Sequence, residues 1–236
     1  MDRVVKTVKR FYYQAHMTEI GSISPVPAPQ RSHLAKRLSV LEAAAIVFCR
    51  DGFASASIEL IAAEAQVSRQ TIYNHYGDKE KLFVAVVKDM TERANAGIYT
   101  TLASFPDNPT DIEAELVEFA VRLARNCMCN RDCIALRKLI HAEGERYPEL
   151  FAPWRQYGPE RAWAAIAARF AKLHHAGHLN VDDPDIAARQ FQALINADLY
   201  VGVILGEKPS EADLRAAAAA AVKTFLKAYG PAAATN

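Results

Sequence analysis

No apolar run in the sequence approaches the roughly 18 residues that suggest a membrane span, and the N-terminus lacks the continuous apolar core of a secretory signal. Cysteine is sparse, with 4 in 236 residues, and three of them bunch at Cys127, Cys129 and Cys133. That is not the framework of a disulfide-stapled secreted domain. Both absences lead to the expectation of a cytoplasmic protein. An excess of one charge is lacking too: 28 Lys and Arg stand against 27 Asp and Glu, net +1. Any basic surface has to be local. The chain contains no G-x-G-x-x-G, no G-x4-G-K-[ST], no H-E-x-x-H and no G-x-S-x-G, so neither catalysis nor a bound cofactor is expected. Alternating β-branched stretches are almost absent, which removes the main signal for a sheet.

What is present is helical periodicity over a 51% hydrophobic chain, ample for a sizeable core. Residues 1 to 16 hold Arg3, Lys6, Lys9 and Arg10 against Asp2. The stretch "SISPVPAP" that follows reads as an extended linker, because each proline lacks a backbone donor. Residues 1–36 are therefore expected to form a basic, flexible extension, with Met17 a second candidate start. From Leu38 the spacing predicts nine helices in an all-α fold. The first runs from about Arg37 to Asp51 and stops at Gly52. The second starts at Ser57, the third runs from Ser68 to Tyr76 before Gly77, and the fourth runs from Asp78 toward Ala103. Five more are expected at about 110–125, 130–146, 159–176, 184–205 and 210–229, with one further turn in "ELFAPWRQYG".

The second and third helices are joined by "AQV", a connection short enough to hold them at a steep angle, as in a helix-turn-helix. On a 100° wheel Ile72 and Tyr76 share one face of the third. Gln70, Thr71 and Asn74 take the opposite arc, flanked by Tyr73 and His75. Eight residues make a rod of about 12 Å, comparable to the width of the DNA major groove. Gln70 and Asn74 can pair with adenine edges and Arg69 with guanine, while the hydroxyls of Thr71 and Tyr73 can bond phosphates. Lys79 stands in the first turn of the next helix, where its charge and the exposed backbone donors can hold a phosphate.

The string "FASASIELIAAEAQVSRQTIYNHYGDKEKLF", within about 50 residues from Leu38 to Val87, resembles the DNA-binding domain of TetR-family transcriptional regulators. Two residues depart from the pattern: Gln66 stands where the turn usually has glycine, and Tyr76 where phenylalanine is commoner. Either Gln66 takes a positive φ or the turn shifts. The resemblance implies that Arg69, Gln70, Thr71, Tyr73, Asn74, His75 and Lys79 contact DNA, with Ser57 and Ser68 near the phosphates. It sets a DNA-binding domain at 37–84 and an effector-binding and dimerisation domain at 85–230. Arg31, Lys36 and Arg37 could add backbone or minor-groove contacts, or belong to a solvated linker.

The later stretches "LRKLIHAEGERYPELFAPWRQYGPERAWAAIA" and "GHLNVDDPDIAARQFQALI" resemble the C-terminal domain of the AefR-like branch of that family. This implies a small-molecule effector and a homodimer that binds a palindromic operator through two short rods related by a two-fold axis. The expected interface is the last two helices, with Phe191, Leu194, Ile195, Leu199, Phe225 and the alanine run as its apolar faces. Phe105, Trp154, Tyr157 and Trp163 either line an effector cavity or belong to the core. An alternative sensor is the cluster Cys127, Cys129 and Cys133, acting as a thiol switch or, with His141, as a soft-metal site. His174 and His178 offer a second pair at one-turn spacing beside Asp182 and Asp183.

Overall fold

The computed structural model describes residues 28–231, so the basic segment at residues 1 to 16 and Met17 lie outside the described residues. Helices account for all the regular structure described. In order they are α1 (Ala28–Ser55), α2 (Ile58–Ala65), α3 (Arg69–Tyr76), α4 (Lys79–Ala103), α5 (Ile112–Cys129) and α6 (Arg131–Glu143). A 3-10 turn (Pro148–Phe151) precedes α7 (Ala152–Tyr157), α8 (Pro159–His175), α9 (Pro184–Ala197), α10 (Tyr200–Ile204) and α11 (Glu211–Tyr229). The chain divides into two units, one up to Ser39 and one from Val40 onward.

Side-chain caps explain where most helices begin. Ser57, Ser68, Asp78 and Asp111 each accept a hydrogen bond from a backbone N–H three residues on. Asn130 and Asp183 each accept two such bonds, and Ser210 with Asp213 closes a capping box before α11. The ends are equally local. Gly52 (φ 76, ψ 172) interrupts α1 in a conformation that essentially only glycine adopts. A Cβ there would also run into the carboxylate of Glu143.

Three boundaries differ from the expectation. α1 begins at Ala28, inside the proline-rich stretch, because Pro29 falls in the first turn, where no N–H is needed. The helix expected over 184–205 is broken into α9 and α10, and the second piece holds Val201, Gly202 and Val203, all poor helix formers. "ELFAPWRQYG" holds two short elements, the 3-10 turn and α7.

Two apolar clusters organise the residues from Val40 onward. The larger is built on phenylalanines: Phe191 packs against Phe170, Phe119 and Phe225 at ring-centroid distances of 5.3, 6.0 and 4.9 Å. It joins α5, α8, α9 and α11. The smaller holds α2 and α3 against α1 and α4 through Val47, Phe48, Ile61, Ile72 and Phe83. That cluster is completed from far along the chain by Leu136 and Leu139 of α6 and by Leu150 and Phe151 of the 3-10 turn. Phe83 meets Phe151 edge to face at 5.4 Å, and Phe53 meets Tyr147 at 4.9 Å.

Candidate nucleic-acid interface

α2 and α3 form a helix-turn-helix whose corner is set by one residue. Gln66 takes φ 56, ψ 42, the left-handed conformation, and its N–H bonds to Ala63 O at 3.2 Å while Val67 N bonds to Ala62 O at 3.0 Å. Of the two ways this turn could tolerate a glutamine, the chain uses the positive φ. Ser68 then restarts the helix: its Oγ accepts from Thr71 N at 3.1 Å and lies 2.9 Å from Thr71 Oγ1. Ser57 does the same for α2 with Leu60 N at 3.2 Å.

α3 is fixed from behind. Ile72 is 1% and Tyr76 8% exposed, whereas Tyr73 is 45% exposed and Arg69, Gln70 and Asn74 lie on the surface. Gln70 Nε2 donates to Asn74 Oδ1 at 2.8 Å, so two amides one turn apart are held as a pair facing outward. Each keeps donor and acceptor capacity for a base edge. Thr71 and His75 are half-buried at the margins, with the His75 ring 6.2 Å from that of Tyr76.

The four cations of the helix-turn-helix are each engaged within the chain. Lys79, expected on a phosphate, directs its ammonium to three carbonyls: Phe53 O at 2.9 Å, Ala56 O at 3.0 Å and Ala54 O at 3.3 Å. It also lies 4.6 Å from the centre of the Phe53 ring. The physical reason is the negative end of α1, where orphan carbonyls gather and attract a cation. Lys79 thus ties the start of α4 to the end of α1. Arg69 pairs with Glu59 at 2.9 Å, both well exposed, and this partner holds the Glu59 carboxyl below its ordinary range. Such a surface pair is easily exchanged for a phosphate. Arg50 pairs with Asp51, and Lys81 with Asp78. From Val40 to Val86 these four cations face Glu42, Asp51, Glu59, Glu64, Asp78 and Glu80. The helix-turn-helix itself is therefore not a basic body.

The pattern of bacterial regulatory proteins of the tetR family matches residues 40–86, and that of the AefR-like transcriptional repressor C-terminal domain matches residues 114–231. The chain belongs to the TetR family of transcriptional regulators. It is 30% identical over 170 residues to the HTH-type transcriptional regulator UidR of Escherichia coli (strain K12), covering 71% of this chain and 79% of that one. Its fold is similar to the crystal structure of a protein assigned to the TetR family from Mesorhizobium loti MAFF303099, with TM-score 0.76 and 31% identity over 84% of this chain and 98% of the other. It is also similar to the flavonoid-responsive regulator FrrA, with TM-score 0.65 and 30% identity over the same shares of the two chains. TetR-family members are DNA-binding regulators rather than enzymes, and no helix among the described residues is long and apolar enough to cross a membrane.

Within this TetR-family chain several expected site residues are placed elsewhere. Phe191, Ile195, Leu199 and Phe225, expected at a dimer interface, are buried in the chain's own core, and Leu194 packs against it. The outward faces of α9 and α11 carry Ala193, Ala197, Ala212, Ala216, Ala219 and Ala220 instead. Phe105 is core, and Trp154 packs on the smaller cluster. The thiol and metal alternative gains no support. Burial raises the Cys127 thiol, and burial with Cys127 nearby pushes Cys133 up to about 12, so both resist becoming thiolates. Groups of three or more metal-ligating side chains do not occur among the described residues. His174 accepts from Val181 N, and His178 pairs with Asn108.

One residue that joins this interface to the rest of the chain was not legible in the sequence. Glu143, at the end of α6, is buried and accepts from Phe53 N at 2.9 Å, just past the Gly52 break. Its partner is a backbone group ninety positions away, and no side-chain pattern announces that.

Proposed function

We propose that this TetR-family regulator is a ligand-responsive switch, a repressor in the cytoplasm that binds a palindromic operator as a homodimer and leaves it when a small effector binds the C-terminal domain. The observation that carries the reading is the outward amide pair Gln70–Asn74 on a helix anchored by Ile72 and Tyr76. In this reading Gln70 and Asn74 read bases, Arg69 exchanges Glu59 for DNA, and Tyr73 with the Thr71 and Ser68 hydroxyls meets phosphates. His75 and Ser57 lie at the margin. Lys79 positions α4 rather than binding a phosphate. Because acids outnumber cations across the helix-turn-helix, the long-range attraction to DNA calls for basic residues outside it, Lys36 ahead of it among them.

The dimer is proposed to form through α9 and α11, where exposed alanines let helices of a second copy approach closely. Responsiveness to a ligand is supported by likeness to a regulator described as flavonoid-responsive.

The test is a mobility-shift titration on the DNA upstream of its own gene. Specific retention is expected, and Gln70→Ala with Asn74→Ala should weaken it by about 10- to 100-fold, at roughly 1–3 kcal/mol for the lost base contacts. Both residues are exposed, so the melting temperature should not move. Equal affinity of wild type and double variant for that DNA would sink the reading.

A further inference from the structure

Arg69 and Glu59 join the first turn of α3 to the first turn of α2, with Arg69 Nη1 2.9 Å from Glu59 Oε1. Both side chains are more than half exposed, at 64% and 58%. On the wheel of α3 Arg69 lies beside Tyr73 and Gln70, so the ion pair borders the outward amides Gln70 and Asn74. The carboxylate has a structural account, because an acid in the first turn is favoured by the positive end of α2. It also has a cost on DNA. Once Arg69 turns to the duplex, Glu59 loses its cation and faces phosphates that repel it. The helix-turn-helix has no positive surplus to offset this, with six acids against four cations from Val40 to Val86.

We propose that Arg69 and Glu59 act together as the reader of a G·C pair, Arg69 on guanine N7 and O6 and Glu59 on the N4 amine of a cytosine. The inference rests on α3 being the DNA-reading helix, as above, and adds what each half-site must contain. In the major groove guanine alone sets two acceptors side by side for the guanidinium fork, and only the exocyclic amines of cytosine and adenine donate to a carboxylate. The ion pair of the free protein is thus replaced by two charge-assisted contacts. Guanine and cytosine stand together in one base pair, so groups 2.9 Å apart in the protein meet acceptors and a donor that are neighbours in the groove. Where guanine is lacking, Arg69 turns to a phosphate and Glu59 is left beside the backbone charge, which lowers non-specific affinity. Glu59 in this way determines specificity twice, by holding the right sequence and by repelling the wrong one.

The experiment uses the full chain and a pool of duplexes carrying a randomised segment of about 24 base pairs, long enough for two half-sites a helical turn apart. Bound DNA is recovered, amplified and sequenced over successive rounds. Wild type is expected to enrich a two-fold symmetric site with a fixed G·C pair in each half. Arg69→Ala and Glu59→Ala should each lower the preference for that base pair about 10-fold and leave the preferences at other positions unchanged. A role in helix stability alone would shift affinity for every sequence equally and leave the preference intact. Against a duplex of A·T pairs only, Glu59→Gln should bind about 5-fold more tightly than wild type, with the same circular dichroism. A wild-type site lacking the G·C pair, a preference that Glu59→Ala leaves intact, or no gain on the A·T duplex overturns the proposal. Relaxation at different positions in the two alanine variants does so too. Enrichment of no sequence by wild type overturns the reading of α3 itself, and the proposal with it.

Discussion

Gln66 occupies a backbone conformation that places its Cβ close to the following carbonyl, a penalty of about 1 kcal/mol or more that glycine escapes. Its side chain is exposed, so nothing in the packing offsets that penalty. Gln66→Gly is therefore expected to raise stability by about 0.5–1 kcal/mol, the gain being reduced by the greater freedom of glycine in the unfolded chain. Urea denaturation followed by circular dichroism checks this; a loss of stability would mean that the glutamine side chain makes a contact worth more than the strain. The residue also shows what a single sequence can convey. "AQV" announced a tight corner because so few residues connect two periodic stretches. Which of two geometries the corner takes depends on where α2 docks against α1 and α4, and that is decided by Ile58, Ile61 and Ala65 packing in three dimensions.

At the scale of elements, Lys79 separates what spacing reveals from what it hides. Its place in the first turn of α4 was plain from Asp78, the cap before it, but the ammonium's partners are carbonyls at the end of α1, twenty-odd residues earlier. Charge at a helix start suggests an anion, and only the fold shows that the negative end of another helix is already there. Lys79→Met is expected to destabilise the chain by about 1–2 kcal/mol, since three charge-assisted bonds vanish and two partly buried carbonyls lose a donor. DNA affinity should keep its salt dependence. A fall in the slope of log affinity against log salt, with an unchanged melting temperature, would instead return Lys79 to the phosphates. The same limit hid the interface residues. Phe191 and Phe225 have the periodicity of any buried stripe, and the sequence does not say whether the burying surface is its own α8 or a second copy.

At the scale of the whole molecule, the half-buried Cys133 thiol gives a pH dependence with a definite sign. The Cys133 thiol, ordinarily near 9.0, is pushed up to about 12, so the folded state keeps a proton that the unfolded chain gives up first. The corresponding stability is fully present below pH 9 and is lost as pH rises from there toward 12, at no more than about 1.4 kcal/mol per pH unit. Relative to Cys133→Val, the wild type should lose urea stability between pH 9 and 10.5 and show no difference in trend between pH 6 and 8. A Cys133-dependent change near neutrality would contradict the partial desolvation that raises this thiol.

The dependence of the helix-turn-helix on Leu136, Leu139, Glu143, Leu150 and Phe151 bears on modularity. A fragment ending at Ala103 would expose the apolar patch those residues cover and leave Phe53 N unsatisfied, so we expect it to lose helical circular dichroism when expressed alone. Grafting this DNA-reading head onto a relative's body should likewise fail unless the graft carries its own α6 seam. Recombination among such regulators would then be constrained less by the operator each recognises than by a handful of side chains that never touch DNA.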